Sequence, residues 1–157
     1  MPKTPSLIIF LIVSLLIYLS IKLIIFKPST PNTVTQKIND KNFILEVADT
    51  PYLQAKGLSS RSSLCPDCGM LFIFNRESFQ SFWMKDTLIP LDIIFIKANG
   101  EITDIYTAFP ESGKSDFQLS LYKSSQPIKY VIELNALTAS NLNLKSGDLI
   151  NLNLDRN

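Results

Sequence analysis

Short apolar runs separated by turn signals fill the chain from Asn42 onward, and they follow one another too closely to leave room for the crossover helices that a parallel sheet needs. Phe43, Leu45 and Val47 alternate with Ile44, Glu46 and Ala48, the period of a strand with one strongly apolar face. Asp49 or Thr50 can then cap a short helix with Pro51 in its first turn and Gly57 at its stop. Met70 to Phe74 is apolar on both faces and reads as a buried strand, with Asn75 to Ser78 as the turn after it. Ser81 to Lys85 and Leu91 to Lys97 read as further strands, the second starting after Pro90 and joined to Glu101–Thr107 by the turn Ala98-Asn99-Gly100. Phe109 to Pro127 is a long polar loop of the functional or mobile kind. Lys129 to Asn135 is a strand, Thr138 to Leu144 a short helix ended near Gly147, and Asp148 to Leu154 a last strand with Ile150, Leu152 and Leu154 on one face. The expected fold is mainly β: one compact antiparallel barrel or sandwich with one or two short helices.

Leu7 to Phe26 is almost continuously apolar, and about 20 such residues are what a bilayer core requires. The sequence therefore predicts a short tail at 1–5, a transmembrane anchor or uncleaved signal at 6–26, a flexible tether at 27–41 and the β domain at 42–157. A cleaved signal peptide is the rival, with Lys3 in its basic region and Leu7 to Leu19 as its apolar core. No small-x-small cleavage site follows, however, and Ile21 to Phe26 is bulky. Residues 27–41 hold Pro, Ser, Thr, Asn and Lys with two isolated aliphatics, the composition of a linker. The lysines flanking the span favour an inside domain, but a very short basic tail usually stays in the cytoplasm, so the domain is expected on the extracytoplasmic side.

The overall charge of +1 conceals a +4 segment over residues 1–41, which leaves the rest near −3. That balance argues against nucleic acid as a partner, because phosphate binding needs a basic face. The chain has no histidine, which removes His-based triads, His-ligated metals and a His general base.

Carboxylates, one arginine, one tryptophan and two thiols remain. Asp92 shares a strand face with Ile94 and Ile96 and should point inward, where an unpaired carboxylate is costly. Arg61 is the partner to propose, since guanidinium matches carboxylate bidentately. The pair is either architectural or the border of a pocket. Trp83 and Lys85 share one face of their strand, as core or as pocket wall, and Glu133 lies on the face of Val131. Two inward carboxylates, Asp92 and Glu133, could act as acid and base in a hydrolase. Cys65-Pro66-Asp67-Cys68 has too few ligands for a zinc site, and the strand after it gives no helix N-terminus to activate a thiol. It reads as a short disulfide or a redox pair, with no metal and no cofactor expected.

Four blocks carry a family resemblance: Gly57-Leu58-Ser59-Ser60-Arg61, Cys65-Pro66-Asp67-Cys68-Gly69-Met70-Leu71-Phe72, Phe82-Trp83-Met84-Lys85-Asp86-Thr87 and Ile89-Pro90-Leu91-Asp92-Ile93. In this order and spacing they resemble the DUF192 (UPF0127) family over about residues 43–154. Tyr130 to Ala136 and Gly147-Asp148 match it too. The resemblance implies a compact, mainly β domain without an established activity, often behind an export signal or anchor. Ser59 replaces a common methionine, Asp86 a common asparagine, and the cysteine pair is not general in the family. The preferred reading is a membrane-tethered binding module with a small polar pocket edged by Arg61, Trp83, Lys85, Asp92 and Glu133. The alternatives are a hydrolase acting on an envelope component and a protein-interaction domain using residues 109–127.

Overall fold

The computed structural model describes residues 6–25, 32–152 and 154, which fall into two units divided at Thr30 and Pro31. In the first unit, helix α1 (Ser6–Ile25) has its side chains described at residues 9–18 and at 20. Ser14 and Ser20 turn their hydroxyls onto the carbonyls of Leu11 and Leu16, which hides their polarity within the helix. Among the described residues no helix is long and apolar enough to cross a membrane. The expected tail at 1–5, the last residue of the expected anchor, 26, and the first part of the expected tether, 27–31, lie outside the described residues.

The second unit is built on a six-stranded sheet. Its strands are β1 (Thr33–Ile38), β2 (Lys41–Ala48), β3 (Cys68–Ser78), β5 (Leu91–Ile96), β6 (Ile102–Ala108) and β8 (Ile128–Asn135), in the order β1-β2-β3-β8-β5-β6. A separate ribbon pairs β4 (Ser81–Phe82) with β7 (Tyr122–Lys123). The short helices are α2 (Pro51–Lys56) and α3 (Thr138–Asn141).

The sheet is mixed and open, which corrects the expectation of an antiparallel barrel or sandwich: β2 and β3 run parallel, while the other neighbours are antiparallel. The physical reason lies between them. Residues 49–67, with α2 inside, are long enough for a crossover, and a parallel pair needs a connection of roughly a dozen residues or more. The tether is also corrected, because residues 33–38 form β1. Its two aliphatics, Val34 and Ile38, alternate inward with Gln36, and a hairpin through Asn39 at φ 52° folds the strand onto β2.

Residues 75–78, read as a turn, instead continue β3, and only Ser81–Phe82 of the expected 81–85 strand is paired. The last predicted strand is a bonded tail. Ile150 is buried and donates its N–H to Gly100, while Asn151 accepts from the Gln36 amide on β1 at 2.8 Å. The tail thus bonds to β1 at one edge of the sheet and to the turn before β6 at the other.

Both faces of the sheet are covered. Leu45, Val47, Leu71, Ile94, Ile96, Ile132 and Leu134 pack on one face with Val34, Ile38 and Ile150. Met70, Phe72, Ile93, Phe95 and Val131 pack on the other with Ala48, Leu58 and Met84. Each such side chain, fully buried, stabilises by about 1.5 to 3 kcal/mol relative to exposure. The central contact is tightest at Gly69 on β3, where an added Cβ would stand 2.4 Å from the carbonyl oxygen of Glu133 and 2.7 Å from Leu134. Gly69→Ala should therefore destabilise the domain by about 3 kcal/mol in urea unfolding, since the obstacle is backbone and cannot rotate away. A variant as stable as the wild type would contradict this packing.

Candidate functional site

Glu133 stands on β8 between Met70 of β3 and Ile93 of β5, on the face that carries Phe72 and Val131. One strand beyond Met70, Glu46 of β2 continues the same row. A carboxyl thus enters the sheet's covered face at its centre, and another lies on the same face nearer the edge.

What covers this row is set by a helix start and a helix stop. Thr50 accepts from Leu53 N at 3.3 Å and Pro51 opens α2, while Gly57 ends it at φ 49° and ψ −139°, donating to Leu53 O. A side chain at Gly57 would be strained, and its Cβ would sit 3.5 Å from Phe72 and 3.9 Å from Glu133 Oε2. The bare glycine brings the backbone close over the sheet. The chain then runs on to Arg61, whose two terminal nitrogens bond the two oxygens of Glu46 at 2.5 and 2.7 Å. The Glu46 bond raises the Arg61 pKa, with desolvation working against it.

Glu133 Oε2 is buried and has no hydrogen-bond partner. Burial pushes the carboxyl up to about 8, and the nearby Arg61 charge offsets only part of that rise. At neutral pH Glu133 is therefore held mainly as the neutral acid.

Beside it opens a pocket of about 340 Å³ walled by α2, β3 and the β4 ribbon. Phe82 is the hub of its aromatic wall, meeting Phe72 edge-on at 4.9 Å, Phe95 at 5.6 Å and Phe74 at 6.5 Å. At the outer lip Trp83 is half exposed, and the Lys85 ammonium lies 5.5 Å over its ring while pairing with Asp116. That bond to Asp116 raises the Lys85 pKa. Asp116 belongs to the 109–127 loop, which is ordered around Glu111: its carboxylate accepts from Lys114, Ser120 N and Ser120 Oγ at 2.5, 2.8 and 2.9 Å.

Of the five residues expected at a pocket, Trp83, Lys85 and Glu133 line this one, and Arg61 lies near it without lining it. Asp92 does not join them. It is buried on the opposite face of the sheet, as the alternation with Ile94 and Ile96 requires, and accepts from Thr107 Oγ1 and Ala139 N, each at 2.7 Å. The expected Arg61–Asp92 pair is corrected to Arg61–Glu46, since the sheet itself stands between the two faces. For the same reason Asp92 and Glu133 cannot act together as acid and base on one substrate. Cys65 and Cys68 form a disulfide at the entry to β3, and Asn135 Nδ2 donates to Cys65 O at 2.9 Å. Among the described residues no cluster of three or more His, Cys, Asp or Glu side chains could hold a metal. Sequence reasoning missed Gln54, Phe72, Phe82 and Glu46. Of these Glu46 left a signal, a lone charge alternating with Leu45 and Val47.

Residues 33–152 match DUF192, described as an uncharacterized ACR. The chain belongs to the DUF192 family. No curated protein matches this DUF192 chain. Two crystal structures resemble it. One is a Sinorhizobium meliloti 1021 protein provisionally described as a transcription regulator, 33% identical, with a TM-score of 0.65 over 76% of this chain and 92% of that one. The other, of unknown function, is from Novosphingobium aromaticivorans DSM 12444, at 30% identity and a TM-score of 0.67 over 80% and 89%.

The Glu133 carboxyl links stability to pH. Its folded value of about 8 lies above its usual 4.5, so between these values the folded domain keeps a proton that the unfolded chain has lost. Stability should therefore fall as pH rises from about 4.5 to about 8 and level off above, a swing of up to about 5 kcal/mol from this group. Glu133→Gln should remove that component of the slope in urea unfolding measured across the range. An identical slope in variant and wild type would refute it.

Proposed function

We propose that this DUF192 domain is a binding module whose pocket takes a small ligand with a polar group directed at Glu133. One observation carries the reading: Glu133, whose Oε2 is buried and has no hydrogen-bond partner, is among the residues that line a pocket of about 340 Å³. An unsatisfied buried polar group is a standing cost of about 1 to 3 kcal/mol, and a ligand that satisfies it recovers that energy as affinity. The aromatic wall supports the same reading, since pockets combine apolar surface with a few convergent polar groups. A thermal-shift screen of small amines, amides, carboxylates and sugars against the full chain tests it. A binder at about 100 times its Kd should add about 2.7 kcal/mol of stability, and Phe82→Ala should weaken it. If no class raises Tm or changes Trp83 emission, the reading fails.

The module is tethered to a membrane through residues 6–26, on the extracytoplasmic side. The apolar sequence of this segment supports the tether, and the Cys65–Cys68 disulfide suits an oxidising compartment. After alkaline carbonate washing the full-length chain should stay in the membrane pellet. Its recovery in the wash supernatant would exclude the tether.

A further inference from the structure

The groups around Glu133 differ in what they leave unbonded. The Gln54 side-chain amide donates to Ala48 O and Ile73 O, the Gln80 amide donates to Ser78 Oγ, and the Thr87 hydroxyl donates to Lys85 O. The Gln54 amide and the Thr87 hydroxyl thus have their donors committed to the protein, the Gln80 amide gives one of its two N–H groups to Ser78, and none of the three bonds Glu133 Oε2.

The charges tell the same story. Arg61 is the cation acting on Glu133, and both of its terminal nitrogens bond Glu46. At the rim Lys85 is paired with Asp116 and feels Asp86 as well, while Lys56 at the end of α2 is exposed, where water and salt screen it. Arg61 and Lys85 therefore each have their own anion, and neither forms an ion pair with Glu133. The rim also shows what the aromatic wall accepts, because the Lys85 ammonium already lies 5.5 Å over the Trp83 ring.

We propose that the ligand is a protonated amine, whose ammonium enters beside Phe82 and Trp83 and pairs with the Glu133 carboxylate. This deepens the binding-module reading and rests on it. The ammonium brings donors and a positive charge to Glu133, whose Oε2 no neighbour bonds, and its alkyl portion packs against the Phe72 and Phe82 rings. Binding requires Glu133 to ionise, so at neutral pH the carboxyl releases nearly one proton to the buffer as the ammonium binds.

Trp83 is the chain's one tryptophan, so its emission reports on this pocket directly. Three probes of similar length separate the possibilities in titrations of the full chain: n-butylammonium, the neutral valeramide and the anionic butanoate. With Glu133 titrating near about 8, n-butylammonium affinity should rise about 50-fold from pH about 6 to about 8, while the amine itself stays protonated. Glu133→Gln should cut its affinity at least about tenfold at the upper pH and abolish the pH dependence. Valeramide binding more tightly, with affinity falling as pH rises, would overturn the cation and leave a pocket that binds neutral acceptors. Tightest binding by butanoate would overturn it as well. If none of the three binds but the broader screen finds a ligand, the amine inference alone fails; if the screen is also empty, the binding-module reading fails with it.

Discussion

Covering both faces of the sheet is the constraint on which the rest depends. β3, β8 and β5 lie at its middle, and a polar side chain pointing off their buried stretches must find its partner inside the protein or go without. Among the described residues Asp92 and Glu133 are the two buried carboxylates, and the sheet treats them differently. Asp92 meets a backbone N–H at the start of α3 and the Thr107 hydroxyl, so its place is architectural: it ties the β8-to-tail connection to β5. Glu133, on the next strand and the other face, meets apolar surface on Met70 and Ile93, bare backbone at Gly57, and a pocket. A domain selected for stability alone could place a hydrophobic residue there at less cost.

The pocket exists because two pieces outside the main sheet are braced against it. The crossover that makes β2 and β3 parallel carries α2 and Gly57 across the face beside Glu133, and Arg61 anchors its continuation to Glu46. On the other side the β4–β7 ribbon holds Phe82 in edge contact with Phe72 and Phe95, and Ser124 strengthens the join by accepting from Gln80 N and donating its own N–H to Gln80 O. The disulfide fixes the last turn before β3. The long parallel crossover thus shapes the site as well as the topology.

Much of this was legible in the chain. Alternation placed Asp92 with Ile94 and Ile96 and Glu133 with Val131, and since the strands lie side by side these two statements already imply opposite faces once the register Asp92–Leu134 is known. The register was the missing quantity. Periodicity within a strand says which residues share a face but not which strand lies beside which, so it does not distinguish Glu46, the carboxylate that Arg61 meets, from Asp92. β1 was hidden for a different reason. Val34 and Ile38 are too few to outweigh the threonines, asparagine and lysine around them, and their burial comes from β2 and the C-terminal tail. The 49–67 connection looked like a helix and a loop, because local signals do not report where its ends lie.

The central claim is that Glu133 sits in the folded domain as a buried acid whose Oε2 has no hydrogen-bond partner. Selective 13C labelling of the glutamate side-chain carboxyls, followed by NMR across the pH range, measures this directly among the chain's five glutamates. One resonance should titrate near about 8, disappear from the Glu133→Gln spectrum, and stand apart from Glu101 and Glu111, whose lysine partners hold them below the usual range. A Glu133 carboxyl that titrates with the ordinary glutamates, near 4.5, would contradict the account.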